Sequence, residues 1–95
     1  MNVKFLIEAQ SELDETIKYY NQELPGLGEN FLTEVLSTID RIVEFPNAWH
    51  QLSDEIRRCH TRRFPYGLIY TIIENEVLYY RYLTYTVNQI TGKIE

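Results

Sequence analysis

The hydrophobic period changes midway along this chain, and that change limits what it can build. From Ala9 to Pro46 the apolar residues recur every three or four positions; after Glu55 they alternate. The first spacing gathers side chains on one face of a helix, the second on one face of a strand. Ala9, Leu13, Ile17 and Tyr20 predict a first helix. It is expected to start between Glu8 and Ser11, where Ser11 and Asp14 loosely fit a capping box. "LPGLG" (Leu24 to Gly28) breaks it, with a proline and two glycines where the backbone must turn. Phe31, Val35, Ile39 and Ile42, widened by Leu32, Leu36 and Val43, predict a second helix over about Glu29 to Phe45. So broad an apolar face suits packing on both a helix and a sheet. Pro46 disfavours helix at Phe45 and ends it.

The remaining segments read as strands. "VKFLI" (Val3 to Ile7) is β-branched and aromatic enough for a short one. After a loop from Asn47 to Glu55, anchored by Trp49, three more are expected: Ile56 to Phe64, Gly67 to Ile73 and Val77 to Thr86. "FPYG" separates the first two. Glu74-Asn75 separates the last two, Asn75 supplying the residue that tolerates a positive φ. The order β-α-α-β-β-β predicts an α+β fold, a helical hairpin packed on one face of a mostly antiparallel sheet. Phe31, Val35, Ile39, Leu68, Ile72 and Val77 are its expected core.

The 95 residues suffice for one domain, 1–95, with a small core. Cys59 is the single cysteine, so neither an internal disulfide nor a cysteine-based zinc cluster can form. No phosphate loop, catalytic triad or metal-ligand spacing is present, and no cofactor is expected. The apolar run ahead of Glu8 is too short for a signal peptide or a membrane span, which predicts a cytoplasmic protein that does not engage membranes. The net charge of −5 hides an asymmetry: residues 1–55 hold 11 acids and 3 bases, residues 56–95 hold 3 acids and 6 bases. The first half presents an acidic surface; the second can meet an anion or an acidic partner.

Most of that basic charge sits in "RRCHTRRFPYGLIY" (Arg57 to Tyr70). On one continuous strand Arg58, His60 and Arg62 would share a face, with Arg57, Cys59, Thr61 and Arg63 on the other. The first set would make an electropositive stripe around an imidazole. Arg57, Arg58, Arg62, Arg63, Tyr66 and Arg81 are the candidate binding residues for a target or an acidic partner. The ordinary alternative is a solvated strand face. His60, flanked by Arg58 and Arg62, suggests a general base, but no neighbouring carboxylate positions it, and no catalytic residue is assigned. His50, in the loop beside Trp49, is given no role. Core and cross-strand packing explains most of the tyrosines from Tyr66 onward, the alternative being an exposed ring near Arg81 that stacks on a base.

Three segments together, "YYNQELPGLGENF", "FPNAWHQL" and "RRFPYGLIY", resemble the ParE branch of the RelE/ParE toxin superfamily, plasmid-stabilisation toxins of bacterial type II toxin–antitoxin modules. The resemblance runs over about residues 3–80. It implies the same fold and a cognate antitoxin, ParD-like or similar, in a hetero-oligomer. It implies DNA gyrase as the target, poisoned by binding. RelE-type members instead cleave ribosome-bound mRNA, and tend to carry an arginine three residues before the tyrosine matching Tyr70; here that position is Gly67, and His60, Arg62 and Arg81 are the remaining candidates for such cleavage. The chain also departs from the family toward its C-terminus. The common A-V-x-H-x-x-R-x-P segment is replaced by "YYRYLTYTVNQITGKIE", with 85–95 a divergent tail. The readings are a gyrase-binding toxin first, an mRNA endoribonuclease second, and an inactive remnant that still binds antitoxin third.

Overall fold

The structure, a computed structural model, describes residues 2–74, 76–79 and 83–85. The elements in order are β1 (Asn2–Phe5), α1 (Ile7–Glu23), α2 (Leu27–Glu44), β2 (His50–Gln51), β3 (Ile56–His60), β4 (Tyr66–Ile73), β5 (Glu76–Tyr79) and β6 (Leu83–Tyr85). The sheet runs β1-β5-β4-β3-β2, with β6 also paired to β4. β3, β4, β5 and β6 form antiparallel pairs, and β1 joins the edge parallel to β5. The expected α+β architecture is present: a helical hairpin against one face of a mostly antiparallel sheet.

Several boundaries differ from the sequence reading. The first helix begins at Ile7, with extended Leu6 at its N-cap and no side-chain cap, so Ser11 lies inside the helix. Gln10 N–H already bonds the Leu6 carbonyl at 2.9 Å, and Asp14 accepts from the Gln10 side chain instead of closing a capping box. The loop after Pro46 contains the two-residue strand β2, paired to Arg57 and Arg58. Of the strand expected from Val77 to Thr86 the described parts are β5 and β6, both on the side of β4 away from β3; residues 80–82 and Thr86 lie outside the described residues. At the β4–β5 turn it is Glu74 that takes the positive φ, 48°; Asn75 lies outside the described residues.

The hairpin turn explains "YYNQELPGLGEN". Asn21 Oδ1 accepts the backbone N–H of Gly26 at 3.1 Å and of Gly28 at 2.8 Å, and its Nδ2 donates to Glu29 Oε2 at 3.3 Å. Gly26 takes φ 91°, which a side chain would resist. Gly28 is needed for a different reason. A Cβ there would collide with the Ile17 carbonyl oxygen and the Asn21 side chain, so glycine lets α2 approach α1.

The core lies between the hairpin and the inner face of the sheet. Ala9, Leu13, Phe31, Val35, Ile39, Ile42, Cys59, Leu68 and Tyr70 are its buried members, and Ile72 packs against them half-buried. Val77 lies outside the described side chains. Tyr20, Phe31, Phe64 and Tyr66 form one aromatic cluster at the β3–β4 turn, with centroid distances of 5.0 to 6.3 Å. Offset and edge-on contacts of this kind add to simple area burial.

Candidate functional site

The four clustered arginines do not form one stripe, because β3 stops at His60. Thr61 ends it: its N–H donates to the Tyr66 carbonyl at 2.9 Å, and its hydroxyl donates to the Phe64 and Tyr66 carbonyls. Tyr66 N–H bonds the Phe64 carbonyl at 2.8 Å across Pro65, a three-residue turn suited to proline's fixed φ. Alternation therefore ends two residues before Arg62, and the expected Arg58–His60–Arg62 face loses its third member.

Each sequence-predicted residue has its own surroundings. Arg57 shares the inner face with Tyr70 and donates to the Trp49 carbonyl at 2.9 Å, pinning the 46–55 loop. Arg62 is exposed, and its backbone N–H donates to Glu34 Oε2 at 2.7 Å. Arg63 Nε lies 3.6 Å from Glu34 Oε1 while its side chain remains 71% exposed. The Tyr66 ring belongs to the aromatic cluster of the core. Arg81 lies outside the described residues.

Arg58 and His60 do share a face, the outer one, away from the helices. Register adds a residue there that the sequence reading set aside: His50 of β2 pairs with Arg58. On β4, Ile69 pairs with Arg58 and Gly67 with His60. Burial lowers the His60 pKa below its usual 6.5, and the Arg58 and His50 charges lower it further. His60 is therefore neutral at pH 7. Arg58 Nε and His60 Nδ1 are shielded from solvent and have no hydrogen-bond partner among the described residues.

Two further charged residues were not singled out from sequence. Glu34 is buried, yet it sits on α2 among apolar neighbours and holds the β3–β4 turn. Arg41 donates to the Thr38 hydroxyl at 3.0 Å and the His60 carbonyl at 3.1 Å, reaches Cys59 Sγ at 3.8 Å, and lies 5.6 Å from the Trp49 ring centroid. Trp49 Nε1 donates to the Arg41 carbonyl at 3.3 Å, which gives the loop the anchor expected of Trp49. The signal for both was available: a carboxylate and a guanidinium beside the broad apolar stripe of α2 require buried partners. On the inner face, burial pushes the Cys59 thiol pKa up, against the Arg41 and Arg62 charges.

Among the described residues no three His, Cys, Asp or Glu side chains converge to hold a metal ion. No helix among them is long and apolar enough to cross a membrane.

Residues 3–81 match the model of the family described as the ParE toxin of the type II toxin–antitoxin system parDE. A solved chain described as a chromosomal ParDE toxin–antitoxin system from P. aeruginosa superposes with a TM-score of 0.70 at 16% identity, over 82% of this chain and 88% of that one. No curated protein sequence matches at a significant level. The superposition supports the fold. The family match extends from β1 through the hairpin turn, the Trp49 loop and the arginine-rich β3–β4 region, and this chain belongs to the ParE toxin family of type II toxin–antitoxin systems.

Proposed function

We propose that this chain is a toxin that acts by binding DNA gyrase and is neutralised by a cognate antitoxin with which it forms a hetero-oligomer. Family membership supports the reading as a module toxin. The observation that carries binding over cleavage is Gly67. It is buried, opposite His60 on β4, where RelE-type ribonucleases tend to carry an arginine. Metal-free RNA cleavage needs a cation for the negative charge that develops on the phosphorane oxygens. Losing one such donor costs about 100- to 1,000-fold in rate. The charged neighbours that act on His60 are Arg58 and His50, so no carboxylate among them orients it as a base.

Inducible expression in bacterial cells, with and without the small gene expected beside it, tests this. DNA breaks and a DNA-damage response should precede any loss of translation, and co-expression of the neighbouring gene should abolish both and co-purify with the toxin. Early ribosome-dependent cuts in mRNA would reverse the reading in favour of an endoribonuclease.

A further inference from the structure

The geometry points to a binding site on the outer face of the sheet, formed by Arg58, His60 and His50, for the carboxylate of an acidic peptide segment. The site goes beyond gyrase binding and stands whether or not gyrase is the target.

Three strands build it. His50 of β2 is paired to Arg58 of β3, and His60 follows two residues later on the same face. β4 contributes Ile69 beside Arg58 and Gly67 beside His60, so the cluster has an apolar neighbour, and the residue opposite His60 has no side chain to compete for it, though Gly67 is itself buried. Arg58 Nε and His60 Nδ1 are shielded from water and have no hydrogen-bond partner among the described residues, and an unmet buried polar group of this kind is costly. Both side chains are half-buried, so a modest rotation presents these nitrogens to an incoming oxygen. Arg58 has no acidic partner among the described residues. A guanidinium without a carboxylate, next to two imidazoles, offers a charge-assisted, multi-donor seat for one carboxylate.

The charge count favours a peptide over a nucleic acid. Phosphate backbones are held by several fixed cations acting together. This cluster has one permanent charge, on a chain whose net charge is −5. The groups facing His60 are Arg58 on its own strand and His50 on β2; Gly67, Ile69 and Thr71 of β4 add no titratable group. A bound carboxylate favours the protonated imidazole, so binding takes up protons and tightens as pH falls from 8 to 6.

The test uses a labelled peptide of alternating Glu and Val, its Gln-for-Glu counterpart, and a single-stranded oligouridine. His50 and His60 are the only histidines, so their ring C–H resonances report the site in the unaltered chain. The acidic peptide should shift both resonances, bind more tightly at pH 6 than at pH 8, and lose about tenfold or more in affinity in Arg58→Gln. The Gln peptide should shift neither. Saturating acidic peptide that leaves both resonances unmoved would overturn the site. So would oligouridine that shifts both and displaces the peptide, which would assign the cluster to phosphate. Arg58→Met removes the charge but keeps the length of the side chain and serves where Arg58→Gln fails to fold; undiminished peptide binding in a folded variant of either kind also contradicts the proposal.

Discussion

The carboxylate of Glu34 accepts the backbone N–H of Arg62 at 2.7 Å, fastening α2 to the turn that ends β3. Arg63 lies on the same carboxylate, but its side chain is 71% exposed, and exposed ion pairs contribute about 0–1 kcal/mol. The part-buried hydrogen bond should dominate. Glu34→Ala is expected to cost about 1–3 kcal/mol in urea unfolding, because it strands the Arg62 N–H. Glu34→Gln keeps an acceptor and should cost clearly less, and Arg63→Ala should cost less than about 1 kcal/mol. Equal losses in Glu34→Ala and Arg63→Ala would show that the ion pair, not the backbone bond, holds the turn.

Tyr70 makes stability depend on alkaline pH. Its hydroxyl donates to the Pro46 carbonyl at 2.7 Å. Burial, with the Cys59 charge second and Arg57 opposing, pushes its pKa from 10.0 up to about 12. The folded chain therefore keeps this proton where the unfolded chain has released it. The contribution is complete below pH 10 and is lost as pH rises from 10 to about 12. Tyr70→Phe should cost about 1 kcal/mol at pH 7 and lose stability less steeply than the parent between pH 9 and 11. Parallel slopes for the two proteins would show that Tyr70 does not carry the effect.

The hairpin turn makes a prediction about coupling. Gly28→Ala drives a Cβ into the Ile17 carbonyl and the Asn21 side chain, the group that also holds Gly26. The overpacking should cost about 1–3 kcal/mol. Asn21→Ala removes the acceptor for both glycine N–H groups. Because each substitution disrupts the same contact, the double variant should lose less than the sum of the singles. Strict additivity in thermal unfolding would mean that Asn21 and Gly28 act independently.

Much of this fold was legible because its strongest signals are local. The stripes of α1 and α2 and the alternation through β4 mark elements long enough for period to show. β2 is two residues long and has no period to read. The parallel seating of β1 on β5 joins segments more than 70 residues apart, and nothing in either segment specifies its neighbour. The basic cluster was half legible. Alternation placed Arg58 and His60 together, but it was carried past His60, where the Thr61 side chain closes the turn and ends the strand. His50 was missed because its place beside Arg58 is set by a two-residue pairing across the Trp49 loop. Glu34 and Arg41 were not singled out, although both flank the buried stripe of α2.

The central claim is that this toxin works by binding gyrase. The most direct measurement adds purified toxin to a DNA gyrase supercoiling reaction and, in parallel, to a reconstituted translation reaction with a defined mRNA. Supercoiling should fall with toxin dose, with cleaved DNA–gyrase complexes accumulating, while the mRNA stays full length. Unimpaired supercoiling alongside mRNA cut in the ribosome would contradict the account.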